Sequence, residues 1–112
     1  MSAITTHVLD TSTGRPAAGV GIVLERRDVD VYREIGRGLT DADGRLRTLL
    51  GEQPLVLGVY RITFATGAYF AGQGLPCFYP EVPVVFAVVD ETQHHHVPLL
   101  LSPYGYTTYR GS

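Results

Sequence analysis

The chain has 112 residues, of which 45% are hydrophobic and 18% charged, and its formal net charge is −2. That length predicts one domain, residues 1–112, able to bury roughly two-thirds of its unfolded surface without disulfide or metal staples. The small negative charge without any basic run argues against a nucleic-acid partner, and no apolar stretch approaches the ~20 residues of a membrane span.

In chain order, the amino end MSAITTHVLD lacks a basic n-region and a long apolar h-region, so no secretory signal is expected and the protein is read as cytoplasmic. A strand is predicted over 4–10, followed by a turn at Ser12-Thr13-Gly14-Arg15-Pro16. Over 20–27, Val20, Ile22 and Leu24 alternate with Gly21, Val23 and Glu25, the period of a half-buried strand. Strands are also expected over 31–40, 45–49 and 55–65; in the last, Val56, Tyr60, Ile62 and Phe64 share one parity. Thr66–Gly72 breaks the alternation and reads as one short helix. Val82, Val84, Phe86 and Val88 mark a strand over 82–90, a turn follows at Asp90–Gln93, and strands close the chain over 94–101 and 104–110. Many short strands punctuated by turns point to an all-β sandwich.

Asp41-Ala42-Asp43-Gly44 invites comparison with a calcium loop. An EF-hand, however, needs ligands at positions 1, 3 and 5 and glycine at 6; here glycine is fourth and Arg45 fifth. The segment reads as a hairpin turn in which Gly44 adopts positive φ. Cys77 is the only cysteine, which excludes an intrachain disulfide and fits a reducing compartment; it reads as a small buried hydrophobe.

All nine cations are arginine. Lysine Schiff-base chemistry is therefore excluded, and arginine is the only fixed cation for gripping anionic or urea-like groups. The four histidines are His7, His94, His95 and His96. In an extended strand His94 and His96 point to one face and His95 to the other. Three readings follow: a zinc site built from His94, His96 and a third ligand such as His7; histidines at the surface or the core edge; or metal-free acid/base work, in which imidazoles activate a water opposite an arginine-held carbonyl. The tail adds Tyr104, Tyr106, Tyr109 and Arg110 after an apolar strand, which suits either a subunit interface or a segment folded into a pocket.

Three segments in order carry a resemblance: His7-Val8-Leu9-Asp10-Thr11-Ser12-Thr13-Gly14-Arg15-Pro16-Ala17, Thr40-Asp41-Ala42-Asp43-Gly44-Arg45, and His94 through Pro98 to the closing Tyr109-Arg110-Gly111-Ser112. Together they resemble the transthyretin-related 5-hydroxyisourate hydrolases of purine catabolism, over the whole chain. The resemblance implies a single transthyretin-like (prealbumin-like) β-sandwich of two four-stranded sheets with one short helix, assembled as a homotetramer, a dimer of dimers with active sites in the channel between them. It implies hydrolysis of 5-hydroxyisourate to 2-oxo-4-hydroxy-4-carboxy-5-ureidoimidazoline with no metal or other cofactor. Carried over by motif, the catalytic residues are His7, Arg45 and His96, and the substrate-binding set adds Tyr109, Arg110, Gly111 and Ser112. His95 stands where the family usually has tyrosine, and Thr107 where it commonly has serine. The hormone-carrying transthyretins share the fold but typically have lysine at the position of His7 and lack the closing tetrapeptide. A non-enzymatic carrier is thus the alternative that specific residues disfavour; fold alone does not separate the two.

Overall fold

Period-two alternation sorts the chain into two sheets whose apolar faces meet. The computed structural model describes residues 2–112. Its elements are β1 (Ile4–Asp10), β2 (Arg15–Pro16), β3 (Gly21–Asp28), β4 (Val31–Leu39), β5 (Arg45–Leu46), β6 (Gly58–Phe64), α1 (Thr66–Ala71), β7 (Val82–Val88), β8 (His95–Ser102) and β9 (Gly105–Thr108). One sheet runs β2-β1-β8-β9 with β5 also paired to β1, and the other runs β4-β3-β6-β7. Every pairing is antiparallel except β1 with β8.

The inward residues are those the alternation singles out. Ile4 and Val8 of β1, Ile22 and Leu24 of β3, Tyr60, Ile62 and Phe64 of β6, and Val97, Leu99 and Leu101 of β8 are all buried. Each such side chain contributes about 1.5–3 kcal/mol through removal from water. Tyr60 is admitted because its hydroxyl donates to the Val56 carbonyl at 2.7 Å. The short helix is where the sequence predicts it. It inserts Phe70 into the core, and the Thr66 hydroxyl bonds the Tyr79 carbonyl.

The structure departs from the sequence-based expectations in four places. The first sheet has five strands because one edge is split: β5 covers Thr6 and His7 of β1, and β2 covers Leu9 and Asp10 on the same side, opposite β8. The segment 45–49 pairs only over Arg45–Leu46, since Leu49 and Leu50 turn into the core, where the Leu50 N–H donates to Ser2 Oγ at 3.0 Å. The Asp41–Gly44 turn does not close a hairpin. It carries the chain from β4 in one sheet to β5 in the other. Cys77 is only half-buried, with its thiol directed at the Tyr79 carbonyl. Among the described residues no helix is long and apolar enough to cross a membrane.

Candidate active site

Residues opposite one another on a ladder share a face. The β1 ladders set Thr5 against His96 and His7 against both Arg45 and Pro98. Since Ile4, Thr6 and Val8 fill the inward face, Thr5, His7, Arg45 and His96 gather on the outer face of the five-stranded sheet. Thr107 pairs with Leu100, which puts it on that face as well.

The turn before β5 fixes Arg45. Asp41 Oδ1 accepts the N–H groups of Asp43 at 2.9 Å and Arg45 at 3.0 Å, and the Asp41 carbonyl accepts that of Gly44 at 2.9 Å. Gly44 has φ +75°, and a Cβ there would stand 2.4 Å from the Val8 carbonyl oxygen; only glycine combines that conformation with that approach. The same turn orients His7, whose Nε2 lies 3.0 Å from the Asp43 carbonyl oxygen. A carbonyl only accepts, so Nε2 carries the hydrogen and Nδ1 keeps the lone pair in the neutral ring. The half-buried Arg45 guanidinium has no hydrogen-bond or ion-pair partner among the described residues. Its donors are available to a ligand.

His96 is held from two sides. Its Nδ1 lies 2.8 Å from Thr5 Oγ1, and the same oxygen lies 2.7 Å from His94 Nε2. On the other side the tail passes close by. The Gly111 N–H donates to the His96 carbonyl at 2.8 Å, and a Cβ on Gly111 would stand 2.7 Å from His96 Cδ2. Burial holds the His96 imidazole below its ordinary range, and the charges of Arg45, His7 and His94 add to that effect. It is therefore neutral at neutral pH. His95 points the other way, as alternation predicts. It is buried, and its Nδ1 donates to the Gln93 carbonyl at 2.9 Å. Burial, with the charge of Arg110, lowers its basicity as well. Among the described residues no three His, Cys, Asp or Glu side chains come together in an arrangement that could hold a metal ion.

A concavity of about 180 Å³ opens over this cluster, lined by Thr5, Thr6, Arg45, Arg47, His94, His96 and Ser112. His7 adjoins it through its pairing with Arg45. The structure thus brings Arg45, His96 and Ser112 together with His7 alongside, while Gly111 contributes a close backbone approach. Tyr109 and Arg110 lie elsewhere. They line a more apolar concavity of about 220 Å³ against Val84–Ala87 of β7. Arg110 Nη2 donates to Gln93 Oε1 at 2.8 Å and reaches the His94 carbonyl at 3.4 Å, tying the tail to the segment that precedes β8. Thr5 and Arg47 are site residues that the motif reading does not single out. The signal for Thr5 is its parity, two residues before His7 on the same strand face.

Two imidazoles and an unpaired guanidinium above a small polar concavity can activate water and stabilise negative charge on an oxygen. Comparison with known proteins adds to this. The model of the HIUase/Transthyretin family matches residues 4–111. The chain is 51% identical to the 5-hydroxyisourate hydrolase of Caulobacter vibrioides over 116 aligned positions, covering 100% of both chains. Among solved structures it resembles the 5-hydroxyisourate hydrolase of Klebsiella pneumoniae, with TM-score 0.85 and 37% identity over 97% of this chain and 92% of that one. It also resembles sea bream transthyretin in complex with thyroxine, with TM-score 0.93 and 34% identity over 98% and 95%.

Proposed function

The chain belongs to the HIUase/Transthyretin family, and from that premise we propose that it is an enzyme that hydrolyses 5-hydroxyisourate to 2-oxo-4-hydroxy-4-carboxy-5-ureidoimidazoline. The observation that carries this reading is the half-buried, neutral His96 beside the unpaired Arg45 guanidinium. The name of its Caulobacter relative supports the same substrate.

In the proposed reaction a water oxygen adds to a ring carbonyl carbon. One of its protons passes to an imidazole, the carbonyl oxygen becomes an oxyanion, and Arg45 stabilises that oxyanion with paired N–H donors. The tetrahedral adduct then breaks its ring C–N bond, and the departing nitrogen takes the proton back from an imidazole. His7 and His96 share the proton transfers. Ser112 borders the pocket and hydrogen-bonds the ureide edge. Tyr109 and Arg110 shape and anchor the tail, and Gly111 gives it room to reach His96. The proposal includes a homotetramer, a dimer of dimers in which this outer face lines the channel, working in the cytoplasm without a cofactor.

The likeness to thyroxine-bound sea bream transthyretin favours one other reading, a carrier that binds a small ligand without turnover. Freshly generated 5-hydroxyisourate followed by ultraviolet absorbance separates the two. Decay well above the spontaneous rate, unchanged by chelator treatment, is expected. No acceleration refutes the hydrolase, and activity lost on chelation and restored by zinc refutes the metal-free mechanism.

A further inference from the structure

Resting on the hydrolase reading, we propose that Thr5 joins His94 to His96 in a proton relay. The relay sets which nitrogen of His96 faces the substrate and moves the proton taken from water outward to His94. The geometry behind it is one hydroxyl oxygen within 2.7 Å of His94 Nε2 and 2.8 Å of His96 Nδ1. A threonine hydroxyl has a single proton to give, so it donates to one of these nitrogens and accepts from the other. When it donates to His94, His96 must carry its hydrogen on Nδ1, and His96 Nε2 presents a lone pair. When it donates to His96, the assignments reverse and Nε2 carries the hydrogen. Passing from the first arrangement to the second needs no ring rotation: a proton arrives at His96 Nε2, one proton moves along each of the two hydrogen bonds, and His94 then gives one up to solvent from Nδ1.

This link lets His96 act as a base in surroundings that oppose a positive charge on it. The titratable and charged groups around it are His7 from β1, Arg45 and Arg47 from β5 and the turn after it, and His94 ahead of β8, with Ser112 of the tail lining the same concavity. A proton arriving from water on Nε2 need not remain on the ring. The Nδ1 proton passes to Thr5 Oγ1, and the Thr5 proton passes to His94 Nε2. His96 ends as the neutral Nε2–H tautomer. The positive charge ends on His94, which is exposed to solvent while His96 is half-buried. The reverse sequence returns a proton to the departing nitrogen. Thr5 suits the task because it is only 4% exposed, stands directly across the ladder from His96, and is β-branched, which restricts the direction of Oγ1. Thr5 is a positioning residue that acts through His96, and His94 is the outer end of the relay.

The test uses the full chain with Thr5→Val, Thr5→Ser, His94→Gln and the Thr5→Val/His94→Gln double variant, with kcat and KM for 5-hydroxyisourate measured across pH. Valine keeps the shape and removes the hydroxyl; glutamine keeps a polar partner that cannot take up a proton. Thr5→Val and His94→Gln are each expected to lower kcat by about 10- to 100-fold, a fraction of what general-base catalysis as a whole supplies, with KM within about twofold. Thr5→Ser restores most of kcat, and the double variant is no worse than either single one, since both break the same path. Wild-type kcat in Thr5→Val or His94→Gln, failure of serine to rescue, or multiplicative losses in the double variant overturns the relay. Imidazole nitrogen NMR provides a readout that needs no turnover. The Nδ1–H and Nε2–H populations of neutral His96 should change in Thr5→Val, and an unchanged tautomer refutes the relay. If the wild-type chain does not accelerate 5-hydroxyisourate loss, the hydrolase reading falls and the tautomer measurement alone decides the hydrogen-bonded link.

Discussion

Gly111→Ala tests whether the tail fixes the position of His96. A Cβ at this residue would lie 2.7 Å from His96 Cδ2 and 3.1 Å from Pro98 Cγ. Ordinary carbon contacts begin near ~3.5 Å, so the ring or the tail must shift by about 0.8 Å. The ring is tethered through Nδ1 to Thr5 and the tail through the Gly111 N–H to the His96 carbonyl, so neither moves without straining a hydrogen bond. A displacement near 1 Å costs a reaction about 100-fold, equivalent to about 2.7 kcal/mol of barrier. The expected result is a loss in kcat/KM of roughly 30- to 100-fold on 5-hydroxyisourate. The thermal midpoint should stay within about 3 °C, because Gly111 lies outside the hydrophobic core. Gly105→Ala is the control: its new Cβ would meet nothing closer than Ser102 Oγ at 3.7 Å, and kcat/KM should stay within about twofold. A Gly111→Ala variant as active as that control refutes the claim that the tail backbone sets His96.

Three further outcomes follow from the same geometry. Arg45→Ala should lose about 10²–10³-fold in kcat through loss of an oxyanion donor, while Arg45→Lys, which keeps the charge but not the fork, should fall between Ala and wild type; kinetics equal to wild type in either variant removes Arg45 from the mechanism. Because burial, with Arg45, His7 and His94, lowers the His96 pKa, kcat/KM should stay level as pH falls through ~6.5 and drop only under more acidic conditions, where the base becomes protonated. An acid limb centred at or above that value contradicts the assignment. For stability, His95 is also lowered, by burial first and by the Arg110 charge second. Its folded form therefore binds fewer protons than the unfolded chain below ~6.5, so its contribution is complete above that pH and is lost as pH falls. His95→Tyr should shrink the drop in thermal midpoint between neutral and mildly acidic buffer, and an unchanged drop argues against His95 as the source.

The parts of this fold that the sequence makes legible are those with a local cause. Strands β3, β6 and β7 each have one wet and one dry face, so alternation at Ile22/Leu24, Tyr60/Ile62/Phe64 and Val82/Val84/Val88 is written into the chain. The two-residue strands β2 and β5 are too short for any period, and they exist because β1 offers an edge to them. Asp41–Gly44 carries true turn chemistry, yet whether a turn joins neighbours or crosses between sheets depends on pairings made elsewhere. The site divides in the same way. Parity alone puts His94 and His96 together and His95 apart. The bridge through Thr5 requires the parallel register of β1 with β8, which joins residues about ninety positions apart in the sequence.

In the proposed reaction one arginine performs two tasks that need the same sign of charge. Arg45 stabilises the developing oxyanion, and its charge also discourages protonation of His96. A base so placed is weaker for taking a proton from water, but its conjugate acid is correspondingly more willing to give that proton to the departing nitrogen. The transfer to an imidazole is thus easiest when negative charge has formed on the substrate oxygen beside Arg45 and offsets the guanidinium, so proton removal and oxyanion formation reinforce one another. A neutral replacement at Arg45 should therefore do more than slow the reaction. It should raise the His96 pKa, an effect that histidine NMR titration reads directly. A slowed variant with an unmoved titration would separate the two tasks and leave Arg45 with the oxyanion alone.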